Sequence, residues 1–176
     1  EAVDALRTHG EDARIIAGGT ALVLMLRYRF IRPAVLISLA RIPGLHGFRS
    51  NGELTIGALT THREIERSPD VARQAPLLAQ AAGRVGSPAI RNMGTIGGNL
   101  AYGEAASDPA PALLALEARL TLAGPEGERS VPLDGFFKDF YETDIRPGEI
   151  LTAVHVPGLP SAARSRFIKY TCFSEE

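Results

Sequence analysis

The sequence of 176 residues predicts an α+β fold. Helical and strand-like segments follow one another without the regular strand–helix alternation of a parallel α/β sheet. The 45% hydrophobic content and the formal net charge of −1 are ordinary for a globular protein. The small net charge gives no electrostatic reason to expect a nucleic-acid or membrane partner. No apolar stretch approaches the roughly 20 residues that a membrane helix needs.

The first fifty residues predict helix, strand, glycine loop, helix and strand in that order. The first helix ends before Gly10, a common stop signal. Residues 13–17 and 35–39 are short apolar runs, typical of buried strands. Gly18-Gly19-Thr20 interrupts the first run, and a helix over residues 21–28 follows it directly.

The next segment carries clear turn and capping signals. Asn51-Gly52 predicts a hairpin turn, with a returning strand over residues 54–58. Thr61 and Glu64 have the spacing of a capping box, so a helix is expected from there to about Pro69. An alanine-rich helix over residues 76–85 and an irregular glycine-rich stretch over residues 86–103 complete this part of the prediction.

The last third predicts one clear helix and several strands. Ser107-Asp108-Pro109 combines a capping side chain with proline at the first helical position, so a helix is expected to about residue 116. A short helix is predicted over residues 133–141, and Cys172 is expected to be buried in the last strand. The predicted strands cover residues 119–123, 129–132, 150–156 and 166–172.

The cysteine and histidine content excludes several kinds of site. The single Cys172 cannot form an internal disulfide, a zinc site with several thiolates or an iron–sulfur cluster. Neither HExxH nor GxSxG is present, which disfavours a helical zinc site and a nucleophile elbow. His62 is expected at the surface. The chain begins at Glu1, so we expect a fragment of a longer protein, and without a signal peptide we expect a cytoplasmic location.

Two glycine loops are the most informative motifs: Ala-Gly-Gly-Thr at residues 17–20 and Thr-Ile-Gly-Gly-Asn at residues 95–99. Adjacent glycines permit positive φ and let a ligand approach the main chain, and successive N–H groups can form a concavity that favours an anion. The first pair also precedes a predicted helix, whose start favours phosphate. Neither GxxxxGK[ST] nor GxGxxG is present. The pattern favours a phosphate-bearing cofactor held by backbone amides; the alternative is that each pair forms only a turn.

Four segments carry a family resemblance: residues 15–22 (IIAGGTAL), 56–61 (IGALTT), 90–101 (IRNMGTIGGNLA) and 106–116 (ASDPAPALLAL). They resemble the FAD-binding domain in the medium subunit of molybdenum hydroxylases, the family of aerobic carbon monoxide dehydrogenase and xanthine dehydrogenase. The resemblance implies an electron-transfer flavoprotein whose partners are a molybdenum-cofactor large subunit and a [2Fe-2S] small subunit. It also implies a two-lobed fold of the PCMH or vanillyl-alcohol oxidase-like type. FAD would lie between lobes at residues 1–50 and 51–176, with the family's C-terminal domain absent.

The resemblance further implies which residues bind FAD. Both glycine loops would wrap the pyrophosphate, Asp108 would bind the cofactor, and Leu151 and Lys169 would approach the isoalloxazine end. Val85 is a weaker match. Ala21 replaces a residue that is often polar or acidic in the family, so a side-chain hydrogen bond is lost while the backbone cradle remains. No catalytic side chain and no metal ligand is expected. The expected cofactor-binding residues are Ile15, Ile16, Ala17, Gly18, Gly19, Thr20, Ala21, Leu22, Thr95, Ile96, Gly97, Gly98, Asn99, Asp108, Leu151 and Lys169.

Alternatives stay open at this point. The chain could belong to a flavin oxidase of the vanillyl-alcohol oxidase type, although no substrate domain or catalytic base is visible, or to a scaffold that has lost flavin. Asp108 could simply cap the helix at Pro109, and Lys169 could be an edge-strand charge. Arg91 is expected to hold a loop rather than neutralise phosphate. The aromatic residues at positions 136, 137, 140 and 141 are expected to pack rather than to stack on a cofactor.

Overall fold

The computed structural model describes residues 1–160 and 162–170. It has the mixed helix and strand content of the predicted α+β class. A 3-10 turn over Gly10–Asp12 follows the first helix. The helices are α1 (Ala2–His9), α2 (Leu22–Arg27), α3 (His62–Arg67), α4 (Pro69–Gln74), α5 (Pro76–Ala82), α6 (Pro88–Met93), α7 (Ile96–Tyr102) and α8 (Pro109–Ala115). The strands are β1 (Ala13–Ile16), β2 (Val35–Ser38), β3 (Phe48–Ser50), β4 (Leu54–Gly57), β5 (Arg119–Gly124), β6 (Gly127–Pro132), β7 (Phe137–Asp139), β8 (Glu142–Thr143) and β9 (Ile150–Val156).

The described strands form three sheets. β1 and β2 pair in parallel, with α2 in the connection between them. The largest sheet has the order β3-β4-β9-β5-β6, and all of its pairings are antiparallel. β7 and β8 form a small antiparallel pair. Because β9 lies between β4 and β5, the sheet joins segments that are far apart in the sequence.

The main hydrophobic core lies between the five-stranded sheet and helices α3, α5, α7 and α8. Ile56, Ile65, Leu78, Leu113 and Leu120 are among its fully buried side chains. Burial of each aliphatic side chain of this size stabilises the fold by about 1.5–3 kcal/mol. Their spacing along helices and strands puts one apolar face of each element inward.

A second, smaller cluster packs beneath α1. Its buried members are Leu39, Leu45 and Ile150, and partly buried side chains such as Leu6 and Ile15 pack against it. The N-terminal helix and the parallel strand pair therefore have apolar contacts of their own, which meet the start of β9 at Ile150.

Three local predictions are confirmed in detail. β3 and β4 form a hairpin around Asn51-Gly52, where Gly52 has φ +83°. The capping box is present: Thr61 Oγ1 accepts a hydrogen bond from Glu64 N at 3.2 Å, and Thr61 N donates to Glu64 Oε2 at 2.9 Å. At the start of α8 the cap is Ser107 Oγ, which accepts from Ala110 N at 3.3 Å. Asp108 makes no side-chain cap.

The prediction of an irregular stretch over residues 86–103 is wrong, because α6 and α7 lie there. Ser87 caps α6 and Thr95 caps α7 through their side-chain oxygens. Gly97 and Gly98 have low helix propensity, but they fall inside α7 because tertiary packing outweighs propensity. A Cβ on Gly97 would stand 2.5 Å from Ala58 Cβ, so only glycine fits where this helix meets Ala58, the residue after β4.

Three other segments also differ from expectation. α4 was not predicted, although Ser68 caps it and Pro69 occupies its first turn. The helix expected over residues 133–141 is wrong, because turns and β7 occupy that segment. The expected strand around Lys169 is wrong for residues 166–170, which form no regular element. Residues 171 and 172, including Cys172, lie outside the described residues.

Candidate functional site

A cavity of about 570 Å³ lies where the two glycine loops meet. This volume is within the range of about 300–1,000 Å³ for small-molecule and cofactor sites. Much of its wall is apolar, with polar groups at a few positions. The predicted residues that line it are Ile15, Ala17, Gly18, Thr20, Ala21, Leu22, Thr95, Gly97, Gly98, Asn99 and Leu151, and the weaker candidate Val85 also lines it.

At Gly18 the first loop touches Met93 and Gly94, which directly precede the second loop. A Cβ on Gly18 would lie 1.8 Å from Met93 O and 3.1 Å from Gly94 Cα, distances at which no side chain fits. A Cβ on Gly98 would stand 2.8 Å from Thr95 Oγ1 and 3.8 Å from Ala17 Cβ. The glycines therefore permit main chain to meet main chain, and they leave open the space between the loops.

The backbone amides of the first loop are available to a ligand. Among the described residues, none of the N–H groups of residues 18–22 donates a hydrogen bond. Gly19 holds φ +73°, which a residue with a side chain rarely adopts, and its carbonyl accepts from Val23 N at 2.9 Å. Unpaired N–H groups beside a cavity favour an anionic group. α2 has only six residues, so the unpaired N–H groups, and not a helix dipole, would attract an anion here.

The second loop differs, because its amides are already paired within the protein. The N–H groups of residues 96–99 all have acceptors, and this loop therefore supplies a rigid wall rather than free donors. In order along the chain, the acceptors are Thr60 O at 3.0 Å, Ala58 O at 2.9 Å, Thr95 Oγ1 at 3.1 Å and Thr95 O at 2.9 Å.

His62 was expected at the surface, and this prediction is wrong. The residue is 2% exposed, and its ring lines the cavity. Burial, and secondarily the positive charge of Arg91, lower the pKa of His62 to about 4, so the ring is neutral near pH 7. The sequence did contain a signal: His62 and the core residue Ile65 are three apart, so they share one face of α3.

Arg91 holds the chain before α6, as predicted. Its Nη1 donates to Val85 O at 3.1 Å and to Gly86 O at 2.9 Å, and its Nε donates to Glu66 Oε2 at 3.1 Å. The guanidinium is therefore used by the protein's own acceptors. Its role in this structure is to fix the segment that leads into the second loop.

A pair of tyrosines also lines the cavity. The Tyr102 and Tyr141 ring centroids are 4.9 Å apart, and Tyr141 Oη donates to Glu104 Oε2 at 2.6 Å. The hydrogen bond to Glu104 raises the pKa of Tyr141 to about 12. Of the aromatic residues expected to pack, Phe136 is buried in the core, whereas Phe140 and Tyr141 are exposed. Tyr141 has φ +59°, and nothing in the sequence predicted that conformation.

Asp108 and Lys169 are brought together, but not on this cavity. Asp108 Oδ2 accepts from Lys169 Nζ at 3.0 Å, and that ammonium also donates to Arg84 O at 3.4 Å. Asp108 is buried, so the lysine neutralises a carboxylate that water reaches poorly. Ile16, Gly19 and Ile96 are likewise not part of the cavity wall, and the Ile96 side chain belongs to the main core.

Fold and cavity together define an α+β ligand-binding domain in which glycine-rich main chain surrounds a partly apolar site. Residues 1–159 match the family model described as the FAD binding domain in molybdopterin dehydrogenase. The chain belongs to this family, whose cofactor is FAD.

Curated relatives and solved structures agree with this assignment. The chain is 40% identical over 163 residues to the 6-hydroxypseudooxynicotine dehydrogenase complex subunit alpha of Paenarthrobacter nicotinovorans, covering 92% of this chain and 55% of the relative. It is 42% identical over 158 residues to the carbon monoxide dehydrogenase medium chain of Hydrogenophaga pseudoflava, covering 89% of this chain and 55% of that relative. A solved structure of carbon monoxide dehydrogenase from that organism, lacking the Mo-pyranopterin moiety, superposes with a TM-score of 0.89. It is 40% identical over 91% of this chain and 56% of that chain. The chain thus spans about half the length of these relatives.

The residues of the cavity fit FAD. Gly18, Thr20, Ala21 and Leu22 line the cavity, and their unpaired N–H groups suit a diphosphate. A Cβ at Gly18 would clash with Met93 O, and a Cβ at Gly98 would clash with Thr95 Oγ1. Apolar residues such as Leu151 suit an aromatic ring system. In residues 1–160 and 162–170, no group of three or more His, Cys, Asp or Glu side chains could hold a metal ion. The helices described are all too short or too polar to be membrane-spanning segments.

Proposed function

We propose that this chain is the FAD-binding part of an electron-transfer subunit in a molybdenum-containing hydroxylase or dehydrogenase complex. The observation that carries the proposal is that two glycine loops, distant in sequence, line one cavity of cofactor size. Electrons would come from iron–sulfur clusters and leave to an acceptor. FAD supplies the redox chemistry, while the protein supplies binding and orientation.

The first loop would hold the diphosphate. Its N–H groups at residues 18–22 have no other acceptor among the described residues, so they need not break a protein hydrogen bond to bind an anion. The second loop would act as a fixed wall, because its N–H groups are already paired. Ala21 offers no polar side chain, but its main-chain N–H belongs to the unpaired set.

The apolar wall would orient the isoalloxazine. Ile150 and Leu151 at the start of β9 line the cavity and are themselves held by the sheet. That Asp108 and Lys169 bind FAD stays a prediction, since in this structure they bind each other. The division into lobes at residues 1–50 and 51–176, with FAD between them, is also a proposal. Its support is the separate parallel sheet and the small cluster beneath α1.

The proposed partners are a molybdenum-cofactor large subunit and a [2Fe-2S] small subunit. The relatives' own names describe a complex subunit and a medium chain. A [2Fe-2S] cluster usually requires four cysteine ligands, and this chain has one cysteine, so the clusters are assigned to a partner. A cytoplasmic location stays a prediction.

The test of FAD binding is an absorption spectrum of the purified chain after incubation with FAD and removal of free cofactor. We expect flavin bands to remain with the protein, and the released flavin to be FAD after denaturation. Gly98→Leu should reduce the retained flavin, because its side chain would occupy the space between Thr95 and Ala17. A folded chain that stays colourless with FAD would contradict the proposal.

The partner assignment needs a separate measurement. The protein would be isolated from its native cells through an affinity tag, under conditions that preserve complexes. Molybdenum, iron and flavin should elute together in a constant ratio. Flavin that elutes without molybdenum and iron would contradict the partner assignment while leaving the FAD site intact.

A further inference from the structure

His62 is a buried polar side chain that the protein itself does not satisfy. Its Nδ1 is sealed from solvent and has no hydrogen-bond partner among the described residues. Nε2 has no partner there either, but it is not sealed in the same way, and the ring lines the cavity between the glycine loops. Because Nδ1 is sealed, a ligand could reach this ring only at Nε2, which has no competing partner among the described residues.

The backbone fixes the His62 ring beside Gly94, the residue directly before the second loop. His62 N donates to Gly94 O at 3.0 Å, and the capping box of Thr61 and Glu64 holds the same turn of α3. A Cβ on Gly94 would lie 3.1 Å from His62 Cδ2, so the ring is in close contact with that residue. Gly18 packs against the neighbouring Met93 carbonyl. The His62 ring and Gly18 of the first loop therefore both pack against the Met93–Gly94 segment, and both residues line the cavity.

The burial of Nδ1 also decides which ring nitrogen carries the proton. A neutral imidazole has one N–H donor and one bare acceptor nitrogen. Orphaned buried N–H groups are rarer in proteins than under-satisfied acceptors, so the sealed nitrogen is the one that should lack a proton. The N–H of His62 is therefore at Nε2, the nitrogen that is not sealed.

We propose that His62 binds the cofactor, with Nε2–H donating a hydrogen bond to a phosphate oxygen of the diphosphate held by the first glycine loop. The inference rests on the proposed function and adds a side-chain donor to a site otherwise made of backbone amides. The ring contributes this donor without a formal charge of its own. It also links helix α3 to the position of the ligand.

The variants separate a phosphate contact from a structural role. His62→Leu removes both nitrogens, His62→Asn removes the distal one, and His62→Gln keeps an N–H near the position of Nε2. His9→Leu, at an exposed position in the last turn of α1, is the matched control. Binding of FAD, ADP and riboflavin to the 176-residue chain would be measured by titration calorimetry, with the Tm of each variant.

We expect His62→Leu and His62→Asn to weaken binding of FAD and ADP by about 10-fold or more, the loss of one hydrogen bond to a charged group. Riboflavin has no phosphate, so its binding should be unchanged. His62→Gln and His9→Leu should stay near wild type. Unchanged affinity of His62→Leu for FAD and ADP would overturn the inference, and so would an equal loss of riboflavin binding.

A measurement on the wild-type chain covers the case in which a variant fails to fold. Histidine-selective 15N NMR should show the His62 proton on Nε2, and its signal should shift when ADP is added. A proton on Nδ1, or a signal that ADP leaves unchanged, would overturn the inference. If the wild-type chain binds FAD and these tests fail, only the role of His62 falls. If it binds no FAD, the proposed function falls with it.

Discussion

At Gly18 the requirement for glycine is steric rather than conformational. We expect Gly18→Ala to destabilise the chain by about 1–3 kcal/mol, the usual cost of forcing atoms into packed space. The added Cβ would lie 1.8 Å from Met93 O, so main chain must move. FAD retention should fall as well, because Gly18 lines the cavity. Thermal unfolding and flavin retention would measure both effects.

Gly83→Ala is the matched control for this substitution. Gly83 ends α5 in a right-handed helical conformation, and a Cβ there would meet its nearest atom at 3.4 Å. The change should leave flavin retention intact and should not lower the Tm. Equal effects of the two substitutions would show that Gly18 has no special role.

The burial of His62 predicts a pH dependence of stability. The pKa of His62 is about 4 in the folded chain against an ordinary 6.5, so the unfolded state binds more protons between these values. Stability should therefore fall as the pH falls through this window, by about 2 kcal/mol between about pH 7.5 and about pH 5. Urea unfolding of the FAD-free chain would measure this change.

His62→Gln provides the comparison for this pH series, because it cannot titrate. Its stability should be nearly constant over the same interval. Glu64 and Glu66 have lowered pKa values, so the stability they contribute is lost only below about pH 4.5. A wild-type chain that is equally stable at both pH values would contradict the buried, neutral state of His62.

Among the helices, α3 combines a complete capping box with a residue of the cavity. Thr61→Ala should reduce stability by about 1 kcal/mol, because the N–H of Glu64 loses its acceptor. Thr8→Ala is the control, since the exposed Thr8 hydroxyl only donates to Asp4 O within α1. Its effect should stay within about 0.5 kcal/mol. Denaturant unfolding would compare them, and equal losses would contradict the role assigned to the cap.

At the scale of the whole molecule, Asp108 and Lys169 tie the segment 162–170 to the helices. The ion pair spans 61 positions of sequence, and Phe167 N adds a hydrogen bond to Gln80 Oε1 at 3.2 Å. A double-mutant cycle with Asp108→Asn and Lys169→Met should give a coupling of about 1–2 kcal/mol, between the values for exposed and buried pairs.

The exposed pair Asp70 and Arg73 is the reference for that cycle. Its N···O distance of 2.6 Å is shorter, but both side chains are more than half exposed. Screening by water should keep its coupling below about 0.5 kcal/mol. If the two cycles give the same coupling, burial of Asp108 does not strengthen the contact that holds this segment.

The sequence by itself determined features that depend on a few neighbouring residues. The Asn51-Gly52 turn, the Thr61 and Glu64 capping box and the break at Gly18-Gly19 follow from local backbone chemistry. Each of these signals involves residues only a few positions apart, so the local structure forms without help from tertiary contacts. The four family-like segments likewise indicate the FAD-binding family through their residues alone, and the family match over residues 1–159 confirms it.

The tertiary structure decided the features that depend on packing between distant segments. Gly97 lies inside α7 despite its low helix propensity, and Ala58 leaves no space for a side chain there. Asp108 pairs with Lys169 instead of capping α8, and His62 is buried rather than exposed. The sequence also could not predict that the backbone N–H groups of the first loop are unpaired while those of the second loop are paired. Whether a group is paired or buried depends on which distant atoms surround it, and only the folded chain brings those atoms together.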